Sequence, residues 1–264
     1  MGLSIPQWVS SIRLFDIDWL ESEAITGLFE EVSSYVQDIR IEMVSHLKNT
    51  CGIEEHPAIL IGLRQNKTTI RFIDSLDERE RVEAIAHELA HLLLIYRYGL
   101  RLVDHWFFYP SEAPQGLEGG SGRGRDWISF LGQMTNTVHH LILAPYLKEV
   151  HGIESGLHLQ LLKNSCIPST DLKDLESQYT AGLIAYEYER LIGNGNRWIN
   201  LHFQSENFWK ALESAQKYFQ EYGYPSILSS NYYEENILSF LEDLGYSGEE
   251  FIFSPFRRPR QASG

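Results

Sequence analysis

Three features of the chain predict an α+β fold: a small sheet, one helix that carries two histidines on its polar face, and a C-terminal half patterned for helices. The sheet is read from a continuously apolar run at 58–63, followed by β-branched alternation at 68–74. The histidine helix is read from Ala84-Ile85-Ala86-His87-Glu88-Leu89-Ala90-His91-Leu92-Leu93-Leu94. Beyond Pro168, apolar residues recur at helical spacing and break at Gly193-Asn194-Gly195-Asn196 and at Gly223-Tyr224-Pro225. The expected division is a core at 1–150, holding the sheet and the histidine helix, and a helical subdomain at 151–264 packed on it.

Taken in order, Trp8, Phe15 and Trp19 are expected to anchor the first twenty residues onto the body. Ala24, Leu28, Val32, Tyr35, Val36, Ile39, Met43 and Leu47 predict one long helix over 21–49, ended at Cys51-Gly52. Arg64-Gln65-Asn66-Lys67 reads as a hairpin turn between the two strands. Asp74 or Ser75 is expected to cap the helix at 77–98, which Gly99 ends. The connection at 99–125 holds Gly116, Gly119, Gly120, Gly122 and Gly124 and reads as a lid or as plain loop. It lacks the preceding strand and the Lys-Ser/Thr of a phosphate-binding loop. A further helix is expected from Asp126 to Ala144, stopped by Pro145. Others are placed at 171–192, 205–222 and 234–244. The basic tail from Arg257 onward is expected to fray.

Composition narrows the function. Apolar residues make up 43% of the 264 positions, which suits a globular chain with a sizeable core. The net charge of −14 argues against nucleic-acid backbone and anionic membranes as partners. Two isolated cysteines, Cys51 and Cys166, make no disulfide framework. With no signal-peptide pattern at the start and no long apolar span, a cytoplasmic location is expected.

The histidine helix carries the chemistry. At about 100° per residue, His91 falls about 40° and Glu88 about 100° from His87, while Val82, Ile85, Leu89, Leu92 and Leu93 occupy the opposite arc. Two neutral imidazoles one turn apart can reach one zinc ion at about 2.0–2.1 Å. The neighbouring carboxylate can reach a water on that ion, whose pKa the metal lowers toward about 7. His-Glu-x-x-His on a helix is the signature of zinc metalloproteases.

With a small sheet ahead of that helix, the chain resembles the zincin metallopeptidases over about 58–145. The resemblance implies a zincin-like core, a third ligand from the next helix, and hydrolysis of a peptide or protein substrate with Glu88 as general base. The metzincin continuation is excluded, because Leu94 and Arg97 stand where it places Gly and His. Within the gluzincin and IrrE/ImmA-like layout, Asn136-Thr137-Val138-His139-His140-Leu141 looks like the ligand helix, and the ligand falls on His140. His140 shares a helix face with Gln133, Asn136 and Thr137; spacing alone leaves His139 open. His105, ahead of Trp106-Phe107-Phe108, is similar to the late histidine of the SprT-like metalloproteases, without the Gly that follows it there. Glu112 and Glu118 would make a thermolysin-like ligand set. Tyr109, Arg123, His139 and Tyr179 are candidates for stabilising an oxyanion.

The sequence therefore leads to the expectation of a zinc-dependent metallopeptidase with His87, His91 and His140 on Zn2+ and Glu88 as the catalytic base. The alternative is a non-catalytic zinc-binding sensor or interaction protein on the same fold, in which a fourth protein ligand excludes water. No oligomeric state is legible.

Overall fold

The computed structural model describes residues 23–36, 38–45, 47, 57–61, 67–105, 125–165, 168–192, 204–226 and 230–253. It is α+β, with seven helices and a three-stranded sheet toward the N-terminus among the described residues. The described residues group into two compact units. One takes those up to Arg97 together with Leu147–Glu154, and the other takes Tyr98–Tyr146 and those from Ser155 onward. None of the described helices is long and apolar enough to cross a membrane.

The first unit starts with α1 (Glu23–Ser33) and β1 (Asp38–Val44). The long helix expected over 21–49 is therefore replaced by a shorter helix and a strand. The Ser34 hydroxyl donates to the Glu31 carbonyl at 2.7 Å, where the helix ends. Asp38, Arg40 and Glu42 alternate with Ile39, Ile41 and Met43, so this stretch satisfies both a period near 3.6 and a period of two. Partners decide between them: β1 runs parallel to β3 (Lys67–Ile73) from Asp38↔Lys67 to Val44↔Ile73, which buries Ile39 and Ile41.

β2 (Ala58–Ile61) pairs antiparallel with the other edge of β3, giving the order β1-β3-β2. The strands are the pair expected from the sequence; of the expected turn, Lys67 is the first residue of β3 and Arg64, Gln65 and Asn66 lie outside the described residues. β3 is central, and its Thr68, Ile70 and Phe72 are buried.

α2 (Glu78–Tyr96) follows. Its cap is Asp77, not Asp74 or Ser75. The Asp77 carboxylate accepts from the Glu80 backbone N–H at 2.8 Å, and the Glu80 side chain accepts from the Asp77 N–H at 3.0 Å. This reciprocal box satisfies two donors that the first helical turn leaves open. Ile85, Leu89, Leu92 and Leu93 form the buried stripe. After the helix, Gly99 takes a φ of 72°, which favours glycine.

α3 (Arg125–His151) runs from the second unit into the first. It does not stop at Pro145 as expected. Proline costs the helix one hydrogen bond, to Leu141 O, and its ring crowds that same carbonyl. Buried neighbours on both sides of it, Ile142, Leu143, Tyr146 and Leu147, hold the helix on course. Its last turn belongs with α1, where His151 Nε2 lies 3.7 Å from the Glu31 carboxylate.

The second unit adds β4 (Val103–His105), α4 (Gly156–Ser165), α5 (Leu175–Ile192), α6 (Glu206–Phe219), α7 (Ser230–Leu244) and β5 (Phe251–Phe253). β4 pairs antiparallel with β5, from Val103↔Phe253 to His105↔Phe251. Trp127, Phe130, Tyr179, Tyr246 and Phe251 stack in one aromatic cluster with centroids 4.9–6.3 Å apart. The expected helices at 171–192, 205–222 and 234–244 are present with shifted ends. α4 has no counterpart in the sequence reading.

α5 and α6 meet at Gly182. A Cβ added there would lie 2.5 Å from the Phe208 carbonyl oxygen and 3.0 Å from the Ala211 Cβ. Gly182→Ala is expected to destabilise the protein by about 2 kcal/mol, because overpacking at the top of its usual range, about 3 kcal/mol, exceeds the gain of about 1 kcal/mol in helix propensity. Gly132 in α3 is the control, since a Cβ there meets nothing within 4 Å. Gly132→Ala should stabilise by up to about 1 kcal/mol. Urea denaturation of both variants checks the opposite signs, and equal signs would rule out the close approach at Gly182.

Candidate metal centre

In the first unit, α2 projects His87 and His91 from adjacent turns of one face. Their Nε2 atoms are 3.1 Å apart, and the rings stand at 70° to each other. Two neutral imidazoles that meet through the same nitrogen can share at most one proton between them. A metal ion suits the pair better. Two bonds of about 2.0–2.1 Å at a tetrahedral angle separate their donor atoms by roughly 3.3 Å, close to the spacing found. The donor set, two imidazoles on a buried helix, is one that zinc accepts. His91 is buried and His87 half-buried.

Glu88 lies between them in sequence. Its side chain keeps part of its accessible surface, yet the carboxyl sits deep enough among protein atoms that burial pushes its pKa up to about 8. The carboxyl is what sets the charge here, so depth counts for more than the surface area of the whole residue. Without an adjacent cation the acid form prevails at neutral pH; a cation beside it favours the carboxylate.

His140 lies in the second unit, on α3, and is buried. It belongs to a polar network around Glu187 of α5. Glu187 Oε1 accepts from His140 Nδ1 at 2.6 Å and from His158 Nε2 of α4 at 2.8 Å. Oε2 accepts from Gln133 Nε2 at 2.9 Å and Thr137 Oγ1 at 3.0 Å. Burial alone would raise the Glu187 pKa, but the contacts to His140 and His158 outweigh it and hold the carboxyl well below the usual range. Burial lowers the His140 pKa against the pull of Glu187. The consistent state is a carboxylate between two neutral N–H donors. The ligating atoms of His140, His158 and Glu187 lie within 4.8 Å of one another, so this buried group could hold a metal ion.

The other sequence candidates fall elsewhere. His139 is fully buried, and its Nε2 is 3.0 Å from the Leu100 carbonyl, to which it donates. The Tyr179 hydroxyl donates to the Leu244 carbonyl at 3.2 Å from within the aromatic cluster, which makes this tyrosine a core residue and not an oxyanion donor. His105 closes β4, where its backbone pairs with Phe251. Tyr109, Glu112, Glu118 and Arg123 lie outside the described residues, as does most of the expected lid.

Sequence reasoning missed His158 and Glu187. His158 sits on the helix that was not expected. Glu187 carries a readable signal: Leu183 and Leu191 stand four residues to either side of it, so an acid interrupts an apolar row of α5. Comparison of the chain with protein-family models, with curated proteins and with solved structures gave no match.

Proposed function

We propose that the protein is a zinc-dependent metallopeptidase in which His87, His91 and His140 hold the ion and Glu88 is the general base. The observation that carries this reading is the 3.1 Å approach of the two Nε2 atoms on α2, with Glu88 beside them. His140 enters from the sequence resemblance; the Glu187 carboxylate on its Nδ1 supports it, because ligating histidines characteristically donate their second N–H to such a group.

Zinc bound there would supply an acidified water and a polarised scissile carbonyl. The chain supplies the proton handling. Glu88 accepts the water's proton and returns it to the leaving amine, one carboxyl serving as base and then as acid. The substrate class is a peptide or protein.

Metal analysis of the purified chain tests the reading. Wild type is expected to hold about one zinc per chain, and His87→Ala, His91→Ala and His140→Ala each to lose most of it, since a site left with two protein ligands binds weakly. Wild type without stoichiometric zinc would overturn the proposal. Retention of zinc by His140→Ala would overturn the third-ligand assignment alone. Full zinc with no hydrolysis of any peptide pool would favour the zinc-binding sensor instead.

A further inference from the structure

Glu187 is buried to 0% exposure and, among the described residues, has no lysine or arginine among its hydrogen-bond and ion-pair partners. Four donors surround its two oxygens, from His140, His158, Gln133 and Thr137. A carboxylate only accepts, so each of these groups must turn a hydrogen toward it. That requirement sets the tautomer of His140: its proton is on Nδ1 and its lone pair on Nε2. The separations of 2.6 and 2.8 Å are hydrogen-bond lengths. They are shorter than the roughly 3.3 Å edge of a tetrahedral zinc site, so in this arrangement Glu187 is hydrogen-bonded to the imidazoles and no ion stands between them.

We infer that Glu187 is a positioning residue for metal binding: it holds His140 in the Nδ1–H form and fixes the ring so that Nε2 presents its lone pair, while His158 pins the same carboxylate oxygen from α4. The inference rests on the proposed ligand role of His140. It adds two residues, from two further helices, that the five-residue motif does not contain. Gln133 and Thr137 complete the clamp. The Thr137 hydroxyl accepts from Gln133 Nε2 at 3.2 Å while donating to Glu187, which fixes Oε2 as His158 fixes Oε1.

The test has two arms. In the first, nitrogen-15 spectra of the metal-free wild type should show His140, identified by its loss in His140→Gln, as the Nδ1–H tautomer. The Nε2–H form would overturn the inference whatever the protein binds. In the second, zinc affinity is measured by chelator competition in the wild type and in Glu187→Gln, a near-isosteric change whose fold is checked by circular dichroism. The expected result is a 10- to 100-fold weaker affinity. Should Glu187→Gln not fold, His158→Gln, which keeps a donor but loosens the carboxylate, should weaken zinc by several-fold. Unchanged affinity in the folded variant would overturn the positioning role and leave the metallopeptidase reading standing. Absence of zinc from the wild type would instead overturn that reading, and this inference with it.

Discussion

Glu88→Gln is expected to lower peptide hydrolysis by about 10²–10⁴-fold, the usual contribution of a positioned acid–base group. The zinc content should stay at the wild-type level, because Glu88 is not a ligand in the proposed site. The side chains match in size, but an amide cannot take a proton from water or return it to an amine. Only chemistry is removed. The change also relieves the fold of an ionisable group whose burial pushes its pKa up to about 8, so the metal-free variant should be no less stable than wild type at neutral pH. Hydrolysis rates and metal content measured on the same preparation decide the matter. Undiminished activity would exclude Glu88 as the base, and loss of zinc along with activity would recast it as a ligand.

The second large effect concerns acid. His139 is fully buried, and burial, with the neighbouring His140 adding to it, lowers its pKa to about 3 against the opposing pull of the Leu100 carbonyl. In the unfolded chain a histidine titrates near 6.5. Between those two values the unfolded state binds a proton that the folded state refuses. Stability from this group is therefore intact above about pH 6.5 and falls as the pH drops toward about 3, at up to about 1.4 kcal/mol per pH unit. His139→Gln keeps a donor for Leu100 and cannot titrate. In the metal-free protein its unfolding free energy between pH 7 and 4.5 should fall less steeply than that of wild type, by about 2–3 kcal/mol over the range. Parallel slopes would show that His139 accepts its proton inside the fold. The acid response of the His140–Glu187 group is present in both proteins, so the difference reports His139 together with its coupling to His140.

These two residues also show what was legible in the sequence. The motif on α2 was readable because its three polar residues and its apolar stripe obey one period, and the helix exists where that period places it. β2 and β3 were readable for the same reason, from runs long enough to exclude the alternative. β1 was not, since Ile39 and Met43 satisfy two periods at once, and the parallel partner that chooses between them lies about thirty residues further along the chain. Pro145 misled because a breaker acts locally, through one lost hydrogen bond and one clash, while the apolar packing on either side of it outweighs both. The site was half legible. Gln133, Thr137 and His140 form a polar strip on an otherwise apolar helix, and such a strip requires a buried polar partner. Its partner, Glu187, sits in a helix whose own pattern names no addressee, and a single chain without its contacts offers nothing to join the two.

The first unit is not one continuous stretch of chain: it is completed by Leu147–Glu154, where the end of α3 meets α1. Synthesis is vectorial, at roughly 5–20 residues per second. The histidine helix therefore leaves the ribosome several seconds before the segment that finishes its unit. During that interval α1 lacks the partner that the end of α3 supplies, and a unit left incomplete is exposed to association. A messenger recoded for faster translation across Tyr98–Tyr146 should shorten the exposure and raise the soluble yield.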